Sequence, residues 1–181
     1  MNIPNLISLG RLLSVPVTVW LILADEIQAA FWLFIAAGIS DGIDGFIAKR
    51  FNAESKLGRF LDPIADKALL VSVFITLGQE EFLQAWLVIL VVFRDALIVG
   101  GALLFETLTH SLTMEPLKIS KVNTVAQIIL AATVLGFNGF GVNDPGIIAA
   151  MVVVVALTTV LSGLLYVVKW TDRAGDMEDN K

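Results

Sequence analysis

Four aspartates crowd one stretch of the chain, SDGIDGFIAKRFNAESKLGRFLDPIADK from Ser40 to Lys67. Asp41 and Asp44 are three residues apart, and Asp62 and Asp66 are four apart, so on a helix each pair shares a face. Ala48 lies on the face of Asp44, and Gly58 on the face of Asp62. A short loop joins the two helices, which predicts antiparallel neighbours aiming carboxylates at one point. The chain has no cysteine, and its one histidine, His110, lies elsewhere. Oxygen-only donors suit Mg²⁺ or Mn²⁺, and magnesium is most often shared with substrate phosphates. Two such ions would clamp a diphosphate. Gly45, Ala48 and Gly58 are small enough to admit a flat group, such as a nucleotide base and ribose, between the helices. Singly, each residue has a plainer reading: Asp41 and Asp44 as helix-end residues, the glycines as packing residues, Asp66 with Lys67 as an ion pair. The four carboxylates together, without a matching cluster of cations, point to metal.

The elements that must position them are membrane helices. Hydrophobic residues make up 57% of the 181-residue chain and charged residues 16%, against about 45–50% and 25% in soluble domains. A soluble surface needs charge that this chain lacks. Six segments approach the roughly 20 apolar residues of a span: 6–23, 27–48, 60–77, 82–105, 119–137 and 146–170. The expectation is an all-α membrane protein with six transmembrane helices, one domain over 1–170 and a frayed polar tail over 171–181. Lys49, Arg50, Lys56, Arg59, Lys118, Lys121, Lys169, Arg173 and Lys181 all fall on one side. The turns at 25–26, 78–81 and 138–144 carry no Lys or Arg. The positive-inside rule then puts both termini and the aspartate loop in the cytoplasm. The N-terminus lacks the basic region of a cleaved signal, so the first segment reads as retained and the compartment as a bacterial cytoplasmic membrane. A net charge of −5 argues against nucleic acid as a partner. A carboxylate at membrane depth is costly and marks function by default.

The stretch resembles the signature of the CDP-alcohol phosphatidyltransferases, DG-x2-AR-x8-G-x3-D-x3-D, with a further aspartate three residues upstream. Asp41, Asp44, Gly45, Ala48, Gly58, Asp62 and Asp66 match at the required spacing. Lys49 stands where the family has arginine, which keeps the charge and loses the bidentate fork. The resemblance implies a six-helix fold, a homodimer and a metal-dependent transfer from CDP-diacylglycerol. It implies that Asp41, Asp44, Asp62 and Asp66 hold two metal ions, that Asp66 is also the general base, and that Asn5, Asp44, Gly45, Ala48, Lys49 and Gly58 bind the nucleotide.

The acceptor is read from three further segments: Asn2-Ile3-Pro4-Asn5 with Arg11, Arg94-Asp95, and Ile119-Ser120-Lys121-Val122-Asn123-Thr124 with Gln127. Arg94 either pairs with an aspartate or contacts an acceptor phosphate. Lys121, near a helix N-terminus, is badly placed for the helix dipole, which favours an anionic partner. The segments resemble the CMP-forming cardiolipin synthases of the family, which implies phosphatidylglycerol as acceptor and Arg94, Lys121 and Asn123 as its contacts. The phosphatidylglycerophosphate synthases, which use glycerol 3-phosphate, are the alternative. In them, cations stand where this chain has Ala102 and Asn123. A third reading, a cation transporter with an acidic intramembrane site, would show broken helices or inverted repeats; neither is visible.

Overall fold

The computed structural model describes the backbone of residues 3–51, 56–109 and 118–178, and the side chains of residues 9–40, 67–101 and 118–171. The described backbone forms six helices: α1 (Ile3–Leu23), α2 (Ile27–Phe51), α3 (Lys56–Gln79), α4 (Ala85–Thr109), α5 (Lys118–Phe140) and α6 (Pro145–Glu178).

Local chemistry sets the turns on the face without basic residues. Asp25 takes φ 60°, its amide donates to Ile22 O, and the Glu26 amide donates to Leu21 O. This is a Schellman closure of α1. Gly141, at φ 68°, ends α5 similarly, with Val142 N donating to Phe137 O at 2.8 Å. Asp144 caps α6: its Oδ1 accepts from the amides of Gly146 and Ile147, each at 3.1 Å. Pro145 occupies the first helical position, where its missing N–H costs nothing.

Two boundaries differ from the sequence expectation. The third turn keeps Phe82, Leu83 and Gln84 out of α4, because Glu81 adopts φ 61° and Leu83 N folds back onto Leu77 O. The helix does not end with the apolar segment at Trp170, since α6 continues to Glu178. Polarity ends an apolar stretch but not a helix, and no proline interrupts these residues; each added residue brings one more backbone bond. A 34-residue helix is about 51 Å long, well beyond the roughly 30 Å of a hydrocarbon core.

α1 packs against both α2 and α3, α5 against α2 and α6, and α4 against α6 and α3. One apolar cluster fills the end of the bundle nearest the three turns. It runs through Ile22, Phe34, Phe74, Leu77, Leu87, Leu130, Val134 and Val155. The buried charged residues Arg11, Arg94 and Asp95 lie nearer the middle of their helices. The α4–α6 seam closes tightly: a Cβ on Gly101 would stand 1.7 Å from the Trp170 ring.

The outer surface is apolar. Ile89 is 68% exposed and Trp20 64%, and the outward face of α6 presents Val153, Leu157, Leu161, Leu164 and Val168. Among the described residues, Lys118–Phe140 and Pro145–Thr171 are long and apolar enough to cross a membrane. Shorter apolar stretches cover 9–23, 27–40 and 67–79.

Candidate active site

The aspartate motif lies on helix from both sides. Asp41, Asp44, Gly45, Ala48 and Lys49 belong to the last part of α2, and Gly58, Asp62 and Asp66 to the first part of α3. The helical register therefore holds for each pair. α1, with Asn5 in its first turn, packs on both helices and is their common wall. The side chains of Asn5, Asp41, Asp44, Gly45, Ala48, Lys49, Gly58, Asp62 and Asp66 lie outside the described residues, as does that of Ala102. Among the described side chains no group of three or more acidic or histidine residues could hold a metal.

The described part of the site begins at Lys67, one residue after Asp66. Its Nζ donates to Asp95 Oδ1 at 2.9 Å across the α3–α4 interface. Arg94 Nη1 donates to the same oxygen at 2.7 Å. Neighbouring residues on a helix do not normally face each other, but the long arginine side chain curls back far enough to reach. Arg94 Nη2 donates to Ser120 Oγ of α5 at 2.7 Å and to Ser162 Oγ of α6. One guanidinium thus ties α4 to α5 and α6, and one carboxylate oxygen ties α4 to α3. Arg94 is 2% exposed and Asp95 3%, whereas the Lys67 side chain is 27% exposed. Asp95 Oδ2 and Arg94 Nε are buried without a hydrogen-bond partner. Unpartnered buried polar atoms are costly, and these two leave the cluster open to a further polar group.

Arg94 therefore does what its plainer reading required, pairing with Asp95, and it also reaches the start of α5. Lys121 is exposed near that start. Asn123 faces elsewhere. It is fully buried, and its Oδ1 accepts from Thr158 Oγ1 at 2.8 Å and Thr159 Oγ1 at 2.9 Å. It joins α5 to α6. Lys67, Ser120 and Ser162 are the members that sequence reasoning did not assign to a site. Lys67 carried a signal, a charge inside an apolar helix beside Asp66; Ser120 lay in a segment already read for the acceptor, and Ser162 carried no signal.

The Asn123 geometry predicts a stability effect. Asn123→Ala is expected to cost about 1–2 kcal/mol, the net worth of the lost hydrogen bonds, and to lower the melting temperature in detergent. An unchanged melting temperature would mean that the contacts to Thr158 and Thr159 carry no weight.

Comparison with known proteins bears on the same residues. Residues 1–162 match the family model described as CDP-alcohol phosphatidyltransferase. The chain is 38% identical over 188 residues to the chloroplastic CDP-diacylglycerol–glycerol-3-phosphate 3-phosphatidyltransferase 1 of Oryza sativa subsp. japonica, covering 94% of this chain and 57% of that protein. It is 32% identical to the CMP-forming cardiolipin synthase of Rattus norvegicus, covering 91% of this chain and 60% of the other. It is 30% identical to the CDP-diacylglycerol–glycerol-3-phosphate 3-phosphatidyltransferase of Aquifex aeolicus, covering 95% and 93%. The chain spans less than two thirds of the first two relatives and nearly all of the third.

Proposed function

Since the chain belongs to the CDP-alcohol phosphatidyltransferase family, we propose that it moves a phosphatidyl group from CDP-diacylglycerol to phosphatidylglycerol, forming cardiolipin and releasing CMP. The apolar outer surface and the one-sided Lys and Arg distribution support a six-span protein of a bacterial cytoplasmic membrane with its site facing the cytoplasm.

In this reading the nucleotide lies between α2 and α3, against Gly45, Ala48 and Gly58, with Asn5, Asp44 and Lys49 as polar contacts. Asp41, Asp44, Asp62 and Asp66 fit hard divalent cations, because the donor set is oxygen-only and the helical backbone gives each pair a common face. Mg²⁺ or Mn²⁺ bound there would neutralise the diphosphate and the departing CMP. Asp66 takes the proton of the acceptor hydroxyl as its oxygen attacks the β-phosphorus; the bond to CMP breaks, and CMP carries the electron pair away. Lys121 and the Arg94 cluster supply positive charge on the acceptor side, and Asn123 fixes α5 against α6.

The choice of acceptor rests on one observation: Asp95 takes up much of the charge of Arg94 and Lys67. Glycerol 3-phosphate is a phosphate monoester with close to two charges at neutral pH. Phosphatidylglycerol has one charge, and its acyl chains add binding of their own. A dianion short of charge-assisted partners loses about 1.5–3 kcal/mol for each missing bond. The names of the Oryza and Aquifex relatives support the second reading, in which glycerol 3-phosphate is the acceptor and phosphatidylglycerophosphate the product.

The chemistry and the acceptor have separate tests. Chelation should abolish turnover and Mg²⁺ or Mn²⁺ should restore it. Asp66→Asn should lower turnover by about 10²–10⁴, the range for a lost general base, with CDP-diacylglycerol binding retained. Full activity in chelator, or an unimpaired Asp66→Asn enzyme, would refute the site. For the acceptor, CMP release is compared with phosphatidylglycerol and with glycerol 3-phosphate, and the product is identified by mass spectrometry. Faster turnover with glycerol 3-phosphate would shift the reading to the second acceptor.

A further inference from the structure

Arg94 and Lys67 share one carboxylate oxygen but differ in freedom. Arg94 is 2% exposed, and its two terminal nitrogens are bound to Asp95, Ser120 and Ser162. It cannot turn towards an incoming molecule without releasing contacts on three helices. Among the described residues Lys67 has one partner, Asp95, and its side chain is 27% exposed. An ammonium has three donors, so contact with Asp95 leaves two for another acceptor.

The position of Lys67 gives those donors somewhere to point. Lys67 lines an open cavity of about 390 Å³ between α3 and α4, together with Asp95, Val71, Val92, Ala96 and Val99. Apart from Lys67 and Asp95, the side chains that line it are apolar. Among the described side chains the Lys67–Asp95–Arg94 cluster holds two cations against one carboxylate. A surplus positive charge at this depth is costly unless an anion meets it. The unpartnered Asp95 Oδ2 and Arg94 Nε are independent signs that the cluster is not a closed structural unit.

We propose that Lys67 is the side chain that binds the phosphodiester of the lipid acceptor, and that Asp95 is a positioning residue that holds its ammonium at the cavity wall. Lys67 follows Asp66 on α3, and successive positions on a helix are about 100° apart. The phosphate of one glycerol unit engages Lys67 while its free hydroxyl meets the carboxylate of Asp66. Arg94 is the fixed end of the cluster and Lys67 its movable end. The cluster's surplus of one charge matches a phosphodiester monoanion. This inference rests on the phosphatidyltransferase reading and adds to it the residue that meets the acceptor.

The experiment is steady-state kinetics of the purified full chain in mixed micelles, varying phosphatidylglycerol and CDP-diacylglycerol in turn. Lys67→Gln leaves Arg94 paired with Asp95, so no buried carboxylate is stranded. It is expected to raise the KM for phosphatidylglycerol about ten- to a hundredfold, the worth of a charge-assisted contact, with the KM for CDP-diacylglycerol unchanged. Lys67→Met, of similar length, should give the same split and stands in if the glutamine variant does not fold. Lys67→Arg, which keeps the charge, should recover part of the acceptor affinity. Asp95→Asn should raise the acceptor KM in the same selective way. An unchanged acceptor KM in both Lys67→Gln and Lys67→Met, or an equal rise in both substrates' KM values, overturns the proposal. The acceptor reading is judged separately, on the wild-type enzyme: if that uses only glycerol 3-phosphate, the reading fails, and the Lys67 split is then measured with that acceptor.

Discussion

One carboxylate oxygen, Asp95 Oδ1, receives Lys67 at 2.9 Å and Arg94 at 2.7 Å in the interior of a helical bundle. Buried charge must be paired, and here the pairing dictates geometry. α3 and α4 must approach closely enough for Lys67 to reach Asp95. α5 and α6 must bring Ser120 and Ser162 to the far side of the same guanidinium. Four helices are thereby fixed around one point. That point lies one residue along α3 from Asp66, where the last carboxylate of the aspartate motif stands.

The rest of the bundle follows from a division along its length. Around the three turns without basic residues, the interior is packed with Leu, Val, Phe and Ile. Beyond that packing, near mid-length of their helices, the buried residues include Arg11, Arg94 and Asp95. The apolar end supplies rigidity by close packing. The charged part supplies charge at a depth where each charge is felt strongly, because little water is there to screen it. The proposed transfer would need both: helices that hold their register, and charge held close to the reacting groups. Around both, the outer surface is apolar.

Much of this was legible in the sequence because helices and motifs are local. The six apolar segments, the i,i+3 and i,i+4 aspartate spacings, and the turns marked by Asp25, Gly141 and Asp144 all depend on residues close together in the chain. The adjacent Arg94-Asp95 pair was legible for the same reason. The two misjudged boundaries were local as well, but hydropathy was the wrong guide: Glu81 delays α4 through its backbone angle, and the polar residues after Trp170 remain helical. What could not be read were partners far apart in sequence. Lys67 to Asp95, Arg94 to Ser162 and Asn123 to Thr159 are separated by 28, 68 and 36 residues. A single sequence carries no periodicity that links such positions. Asn123 shows the consequence, since nothing local to it in the sequence signals its bonds to Thr158 and Thr159 of α6.

The central claim is that the Lys67–Asp95–Arg94 cluster is kept for the acceptor rather than for stability. Buried ion clusters replaced whole by apolar residues of similar size are often neutral or stabilising, whereas removing one partner costs about 3–5 kcal/mol. The most direct measurement is therefore the triple variant Lys67→Met, Arg94→Met, Asp95→Leu, followed by thermal unfolding and CMP release in parallel. The account predicts a folded protein that melts close to the wild type, still binds CDP-diacylglycerol, and has lost acceptor-dependent turnover. A triple variant that melts as low as Asp95→Leu alone, or that turns over like the wild type, would contradict it.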